Sequence, residues 1–177
     1  MVDGMQNAGL KTVRGWVAIT LLVSGCGTDN RTNADKLVAL EEMVEETRQE
    51  FPEVDGLGVD EVRRLYEAGE ALFIDVRTAA ERAVSTLPGA ITPEEFERNS
   101  ELYADRTPIA YCTIGYRSAE LARRLSTDGR RVFNFEGSIV AWTHAEGTLE
   151  GPEGPTRRVH VYGDRWNLVA DGYEAVW

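Results

Sequence analysis

The segment YCTIGYRSAELARRL, Tyr111 to Leu125, joins two hydrophobic patterns at one point. On its N-terminal side, TPIAYC (107–112) is a short apolar run, the pattern of a strand buried on both faces. On its C-terminal side, Ser118 to Thr127 carries Leu121, Ala122 and Leu125 at helical spacing, with Gly129 placed to cap the end. Strand must become helix between Thr113 and Ser118, and Gly115 supplies the backbone freedom for so tight a reversal. Cys112 therefore stands at the carboxyl edge of a strand, where open parallel sheets bind their ligands. A loop of this kind can aim successive N–H groups inward as an anion-binding nest, and the helix start adds the positive end of its dipole. Both favour a thiolate, lowering the pKa from its free value of about 8.5. Arg117 adds a fixed cation able to hold an oxyanion beside the sulfur. The stretch reads as a nucleophilic sulfur in an anion cup.

The same alternation of types continues on both sides. ALFIDV (71–76) and RRVFNF (130–135) read as further strands, and Ser138 to Ala145 as a further helix. Val59, Val62, Leu65 and Tyr66 make one face of a short helix ended by Gly69; LPGA (87–90) is a turn, and Pro93 to Arg98 a short helix. Strand and helix alternating at these lengths predict an α/β fold, a parallel sheet flanked by helices on both faces. Upstream, KLVALEEMVEETRQEF (36–51) repeats Leu37, Leu40, Met43 and Val44 at helical spacing until Pro52 stops it. Downstream, GTLEGPEGP (147–155) breaks the pattern and opens an aromatic extension, in which Val159 and Val161 alternate like an edge strand. The expected organisation is a leader at 1–25, a spacer and helix at 26–52, a domain at 53–150, and an extension at 151–177 that packs on it.

Composition narrows the function. The chain has 177 residues, 42% apolar and 28% charged, as a soluble globular protein does. A net charge of −11 argues against nucleic acid or an anionic membrane surface as the main partner. There are two cysteines and two histidines. His144 and His160 lie far apart in sequence, so neither a zinc site nor a Cys-His-Asp hydrolase is expected.

Lys11 and Arg14 precede an apolar run, Trp16 to Val23, followed by Ser24-Gly25-Cys26. That is the order of a secretory signal, and the run is far short of the roughly 20 residues that span a bilayer. VSGC, with leucines just upstream, resembles the lipobox of bacterial lipoproteins. The resemblance implies that residues 1–25 are removed as a signal peptide and that Cys26 is lipidated on sulfur. The protein would then be tethered by a lipid anchor outside the cytoplasmic membrane, in the periplasm or at the cell surface. Ordinary secretion and a plain hydrophobic helix are the alternatives. A lipidated Cys26 could not pair with Cys112, leaving Cys112 as the sole free thiol.

Residues 57–147 resemble a rhodanese domain, a single-domain sulfurtransferase module. LFIDVR (72–77) is similar to the family's first core strand with its Asp-Val-Arg signature, and LPGA (87–90) to its turn. YCTIGYRSAELARRL is similar to its active-site loop and helix, and FEGSIVAW (135–142) to its closing Gly-Gly-x-x-x-Trp element. The resemblance implies that Cys112 is a persulfide-forming nucleophile cradled by the N–H groups of Thr113, Ile114, Gly115, Tyr116 and Ser118. It implies that Arg117 holds the loop and orients an anionic substrate, and that Asp75 and Arg77 support the loop from the neighbouring strand. A small sulfur donor and a thiol or cyanide acceptor are the implied partners, with no metal or organic cofactor; a protein partner stays open. Two positions depart from the family pattern: Ser85-Thr86 stands where Gly-His is frequent, and Ser138 replaces the second glycine of the closing element. Four residues between Cys112 and Arg117 make a six-residue loop, one shorter than in phosphatases and arsenate reductases of this fold, which favours sulfur transfer. A non-catalytic binding module or a persulfide carrier or sensor remains the second reading, a phosphatase or arsenate reductase the third.

Overall fold

A computed structural model describes residues 30–177; the leader-like segment and Cys26 lie outside them. Four short strands form where apolar residues run together: β1 (Gly56–Leu57), β2 (Ala71–Asp75), β3 (Thr107–Tyr111) and β4 (Phe133–Phe135). They pair in the order β1-β4-β3-β2, all parallel. Every residue of β2 is buried, because helices cover both faces. Alternate side chains divide accordingly. Phe73, Ile109 and Tyr111 enter one core with α2 (Val59–Glu67) and α6 (Ser138–His144), whereas Leu72, Ile74 and Ala110 enter another with α4 (Pro93–Asn99) and α5 (Tyr116–Thr127). The expected α/β class holds.

Strand β4 begins later than its sequence pattern suggests, at Phe133 rather than Arg130. Helix α5 ends in a Schellman motif: Gly129 N–H bonds to Ser126 O and Arg130 N–H to Leu125 O, with Gly129 at φ 73°. Arg130 is thus spent on closing the helix before the strand can start.

Helix α1 (Asn33–Glu50) lies against the same core as α2 and α6 through Leu40, with Met43 half-buried beside it. Its inner stripe is rotated from the expected one. Leu37 is 45% exposed, and Lys36 is buried in its place, its aliphatic stem covering apolar surface while Nζ reaches Asp171 at 3.0 Å. The segment beyond 147 folds into a hairpin, β5 (Leu149–Gly151) with β6 (Gly154–Thr156), and a parallel pair, β7 (Arg158–His160) with β8 (Glu174–Val176). Val159, Val161, Leu168 and Val169 from this segment are buried in the core that holds Trp142 and Phe73. Arg31 Nη2 donates to Asn167 O at 2.8 Å, and Lys36 pairs with Asp171, so α1 and the C-terminal segment are fastened to each other.

Candidate active site

The loop after β3 is closed from three sides. Gly115 takes φ 115°, a conformation that side-chain-bearing residues rarely adopt, and caps the start of α5. From α6, Ile139 N–H donates to Cys112 O at 3.3 Å and Val140 N–H to Thr113 O at 3.2 Å. Ser138 completes the closure. Its Oγ accepts from Cys112 N–H at 3.1 Å and donates to Phe135 O at 2.8 Å, with its own backbone at φ 50°. The replacement of a glycine by Ser138 thus keeps the left-handed backbone and adds a hydrogen bond to the cysteine itself.

Cys112 is 1% exposed. Gly115 N–H donates to its Sγ at 3.2 Å, and Ser118 Oγ lies 3.8 Å from Sγ while resting 2.7 Å from Asn134 Oδ1. Burial alone would raise the thiol's pKa. The Arg117 charge and the N–H groups of Gly115, Ser118 and Ile114 outweigh that burial and leave the thiol below its ordinary value. The arrangement favours a thiolate without a neighbouring base. His144 instead bonds to Leu168 O at 2.8 Å, away from the loop.

The guanidinium of Arg117 is engaged on two sides. Nη1 and Nη2 donate to the Glu81 carboxylate at 2.9 and 2.7 Å, and Nη2 also reaches Thr113 Oγ1 at 3.2 Å. Its carbon lies 5.3 Å from the centre of the Tyr162 ring. Glu81 also closes the capping box of α3 (Ala79–Val84), accepting from Thr78 N–H at 2.9 Å and from the Thr78 hydroxyl at 2.8 Å. Burial would raise the Glu81 pKa, but these bonds and the Arg117 charge bring it down to about 2. Asp75 and Arg77 stand one step back. They form a fully buried pair at 2.7 Å; Arg77 also donates to Ser85 O at 2.6 Å, and Asp75 accepts from Tyr111 Oη at 2.5 Å. Asp75 thus meets the strand end through Tyr111, the neighbour of Cys112, whose Oη in turn accepts from Leu87 N–H at 2.9 Å.

The sequence profile of the rhodanese-like domain matches residues 58–145. A sulfurtransferase of Allochromatium vinosum is 35% identical over 96 residues, which are 52% of this chain and 90% of that protein. The chain belongs to the rhodanese-like family. A putative sulfurtransferase of Bacillus subtilis, YtwF, is 30% identical over 51% of this chain and 91% of its own length. The crystal structure of a thiosulfate sulfurtransferase from Pseudomonas aeruginosa superposes with a TM-score of 0.53 at 26% identity, over 68% of this chain and 23% of that one. At the level of this family the activity is sulfur transfer.

Two walls of this rhodanese-like site come from outside the residues that the profile matches. A cleft of about 600 Å³ opens over Cys112. Met43, Glu46 and Glu50 of α1 line one side, Tyr162, Arg165 and Trp166 of the C-terminal segment another. Ile114, Tyr116, Arg117 and Glu120 complete it at the loop. Tyr116 is 43% exposed and rests edge-on against Phe51, with ring centres 5.1 Å apart. Arg123 and Arg124 do not line the cleft; Arg123 lies over Phe51, and Arg124 pairs with Glu97 at 2.6 Å. Sequence reasoning missed Glu81, although Thr78-Ala-Ala-Glu81 carries the capping-box spacing, and it missed the cleft walls altogether.

Proposed function

We propose that the protein moves a sulfane sulfur from a donor to a thiophilic acceptor through a persulfide on Cys112. The single observation that carries this reading is the buried Cys112 sulfur in a six-residue loop, where the Gly115 N–H points at Sγ and the Arg117 charge and the loop's N–H groups hold the thiol below its ordinary pKa. In the first step the Cys112 thiolate attacks the outer sulfur of a donor such as thiosulfate, forming an S–S bond, and sulfite leaves with the electron pair of the broken bond. In the second, an acceptor nucleophile takes the outer sulfur, and the electron pair returns to Cys112 as thiolate. The N–H groups that stabilise the thiolate also stabilise the negative charge of the persulfide. Donor and acceptor supply and remove the sulfur atom, so the cycle has no net redox change at the protein.

The test is intact mass of the reduced protein before and after thiosulfate, and separately after an inorganic polysulfide, beside Cys112→Ser. A gain of about 32 Da, reversed by cyanide and absent in the variant, is the expected result. A folded, reduced protein whose mass no sulfane donor changes would end the reading. Sustained thiocyanate production then distinguishes an enzyme from a persulfide carrier.

We further propose that Cys26 carries a lipid anchor that holds the protein outside the cytoplasmic membrane. The support is the lipobox-like VSGC with its preceding apolar run. Metabolic labelling with an alkyne fatty acid should tag the full chain and fail on Cys26→Ser; equal labelling of both would refute the anchor.

A further inference from the structure

The charge at the mouth of the cleft is opposite in sign to that around the sulfur, where N–H groups and Arg117 favour an anion. Arg117 carries the charge that acts on Cys112, and its two Nη donors are bound by Glu81 and its face covered by Tyr162, so these contacts are taken before a second anion enters. At the mouth of the cleft Glu46, Glu50 and Glu120 are exposed, and among the described residues none of them has an ion-pair partner. The contrast within α1 is informative. Glu41 and Glu45 share Arg48, whereas Glu46 and Glu50, stacked one helical turn apart, face the cleft with no cation between them. Such a stack weakens a helix. Arg165, drawn over the Trp166 ring, is the one other cation in the lining, so carboxylates outnumber free cations at the mouth.

Size and surface point the same way. About 600 Å³ falls in the range of pockets for organic ligands, and an inorganic oxyanion fills a small part of it. Met43, Ile114, Tyr162 and Trp166 supply apolar and aromatic wall for a carbon skeleton.

We propose that the acceptor in the second step is a low-molecular-weight organic thiol bearing a positive charge. Its cation lies against Glu46, Glu50 and Glu120, its carbon chain along Tyr162 and Trp166, and its sulfur at Cys112. The inference rests on the persulfide reading of Cys112. The acceptor gives up its thiol proton to solvent, and its thiolate attacks the outer sulfur. A new S–S bond forms, the Cys112–S bond breaks with its electrons on Cys112, and an organic persulfide leaves. No oxidant or reductant enters.

The experiment loads the full protein to the persulfide, verified by mass, and follows discharge by three thiols at equal thiolate concentration. These are cysteamine, 2-mercaptoethanol and 3-mercaptopropionate, which carry a cationic, a neutral and an anionic group. Cysteamine should discharge the persulfide at least about tenfold faster than mercaptopropionate, and the ratio should shrink as salt is added. In Glu46→Gln/Glu50→Gln/Glu120→Gln the ratio should fall towards that of a free persulfide in solution, with loading retained. Equal rates for the three thiols would overturn the inference while leaving the persulfide reading intact, as would an unchanged ratio in the triple variant. A preference confined to a lysine-flanked cysteine peptide, absent with cysteamine, would overturn it in favour of a protein acceptor. Failure to load any persulfide would instead refute the reading of Cys112 itself.

Discussion

At the scale of the residue, the site turns on what surrounds one sulfur. The Cys112 thiol is held below its ordinary pKa against the opposing effect of burial, so its thiolate persists to lower pH than that of a free cysteine. Ultraviolet absorbance of the thiolate, followed against pH, should place the midpoint below that of a free cysteine, and Arg117→Gln should move it upward; a variant midpoint at or below the native one would refute the role given to the Arg117 charge. Ser138 offers a second test. Ser138→Ala keeps a left-handed backbone and strips Cys112 N–H of its acceptor, a loss of about 1–3 kcal/mol for a buried donor. Ser138→Gly loses the same acceptor but relieves backbone strain of about 1 kcal/mol, so in urea unfolding the glycine variant should be the more stable of the two. The opposite order would show that Ser138 bears no strain. Cys112, Gly115 and Arg117 were legible because their chemistry is local to one loop. Ser138 was visible only as a departure from a glycine pattern. Its bond to Cys112 spans 26 positions, and no local spacing encodes it.

At the scale of the element, Glu81 couples the start of α3 to the loop that begins α5. Its pKa of about 2 lies below the ordinary value of about 4.3, so the ionised form contributes stability above pH 4.3 that is lost as pH falls towards 2. The shift corresponds to about 3 kcal/mol, and Glu81→Gln should flatten the pH dependence of unfolding between those limits. A variant that kept the native slope there would place the acid sensitivity elsewhere. Behind it, the Asp75–Arg77 pair is buried on both sides, so Asp75→Asn leaves an uncompensated guanidinium and should cost about 3–5 kcal/mol in chemical denaturation; a loss below about 1 kcal/mol would contradict that account. The strands and helices were legible from their apolar periods because both faces of the sheet are covered. The inward stripe of α1 was misread by one position, because a lysine with an aliphatic stem and a partner in Asp171 does what an apolar residue was expected to do. The late start of β4 has a similarly local cause in the cap after α5.

At the scale of the whole molecule, the residues matched by the family profile do not complete the structure. Val159, Val161, Leu168 and Val169 are buried with the central core, and at about 1.5–3 kcal/mol each their burial is comparable with the whole stability of a domain, about 5–15 kcal/mol. A chain ended at Thr156 should therefore lose its cooperative thermal transition; a sharp transition near the native one would make the segment dispensable. The aromatic residues of this segment were legible as an extension, but their place beside Glu46 and Glu50 was not. More than a hundred positions separate the two walls, and only the folded core brings them to one cleft. That cleft also sets a timescale. Among the described residues Cys112 is the only cysteine, and its sulfur lies buried at the cleft floor. A persulfide beside a second thiol can discharge at once by closing a disulfide, at a rate fixed by the protein. Here no such neighbour stands within the described fold, so a loaded sulfur waits for a molecule to diffuse in. The lifetime of the loaded state then follows acceptor concentration, and the fraction of protein carrying sulfur becomes a running record of supply against demand.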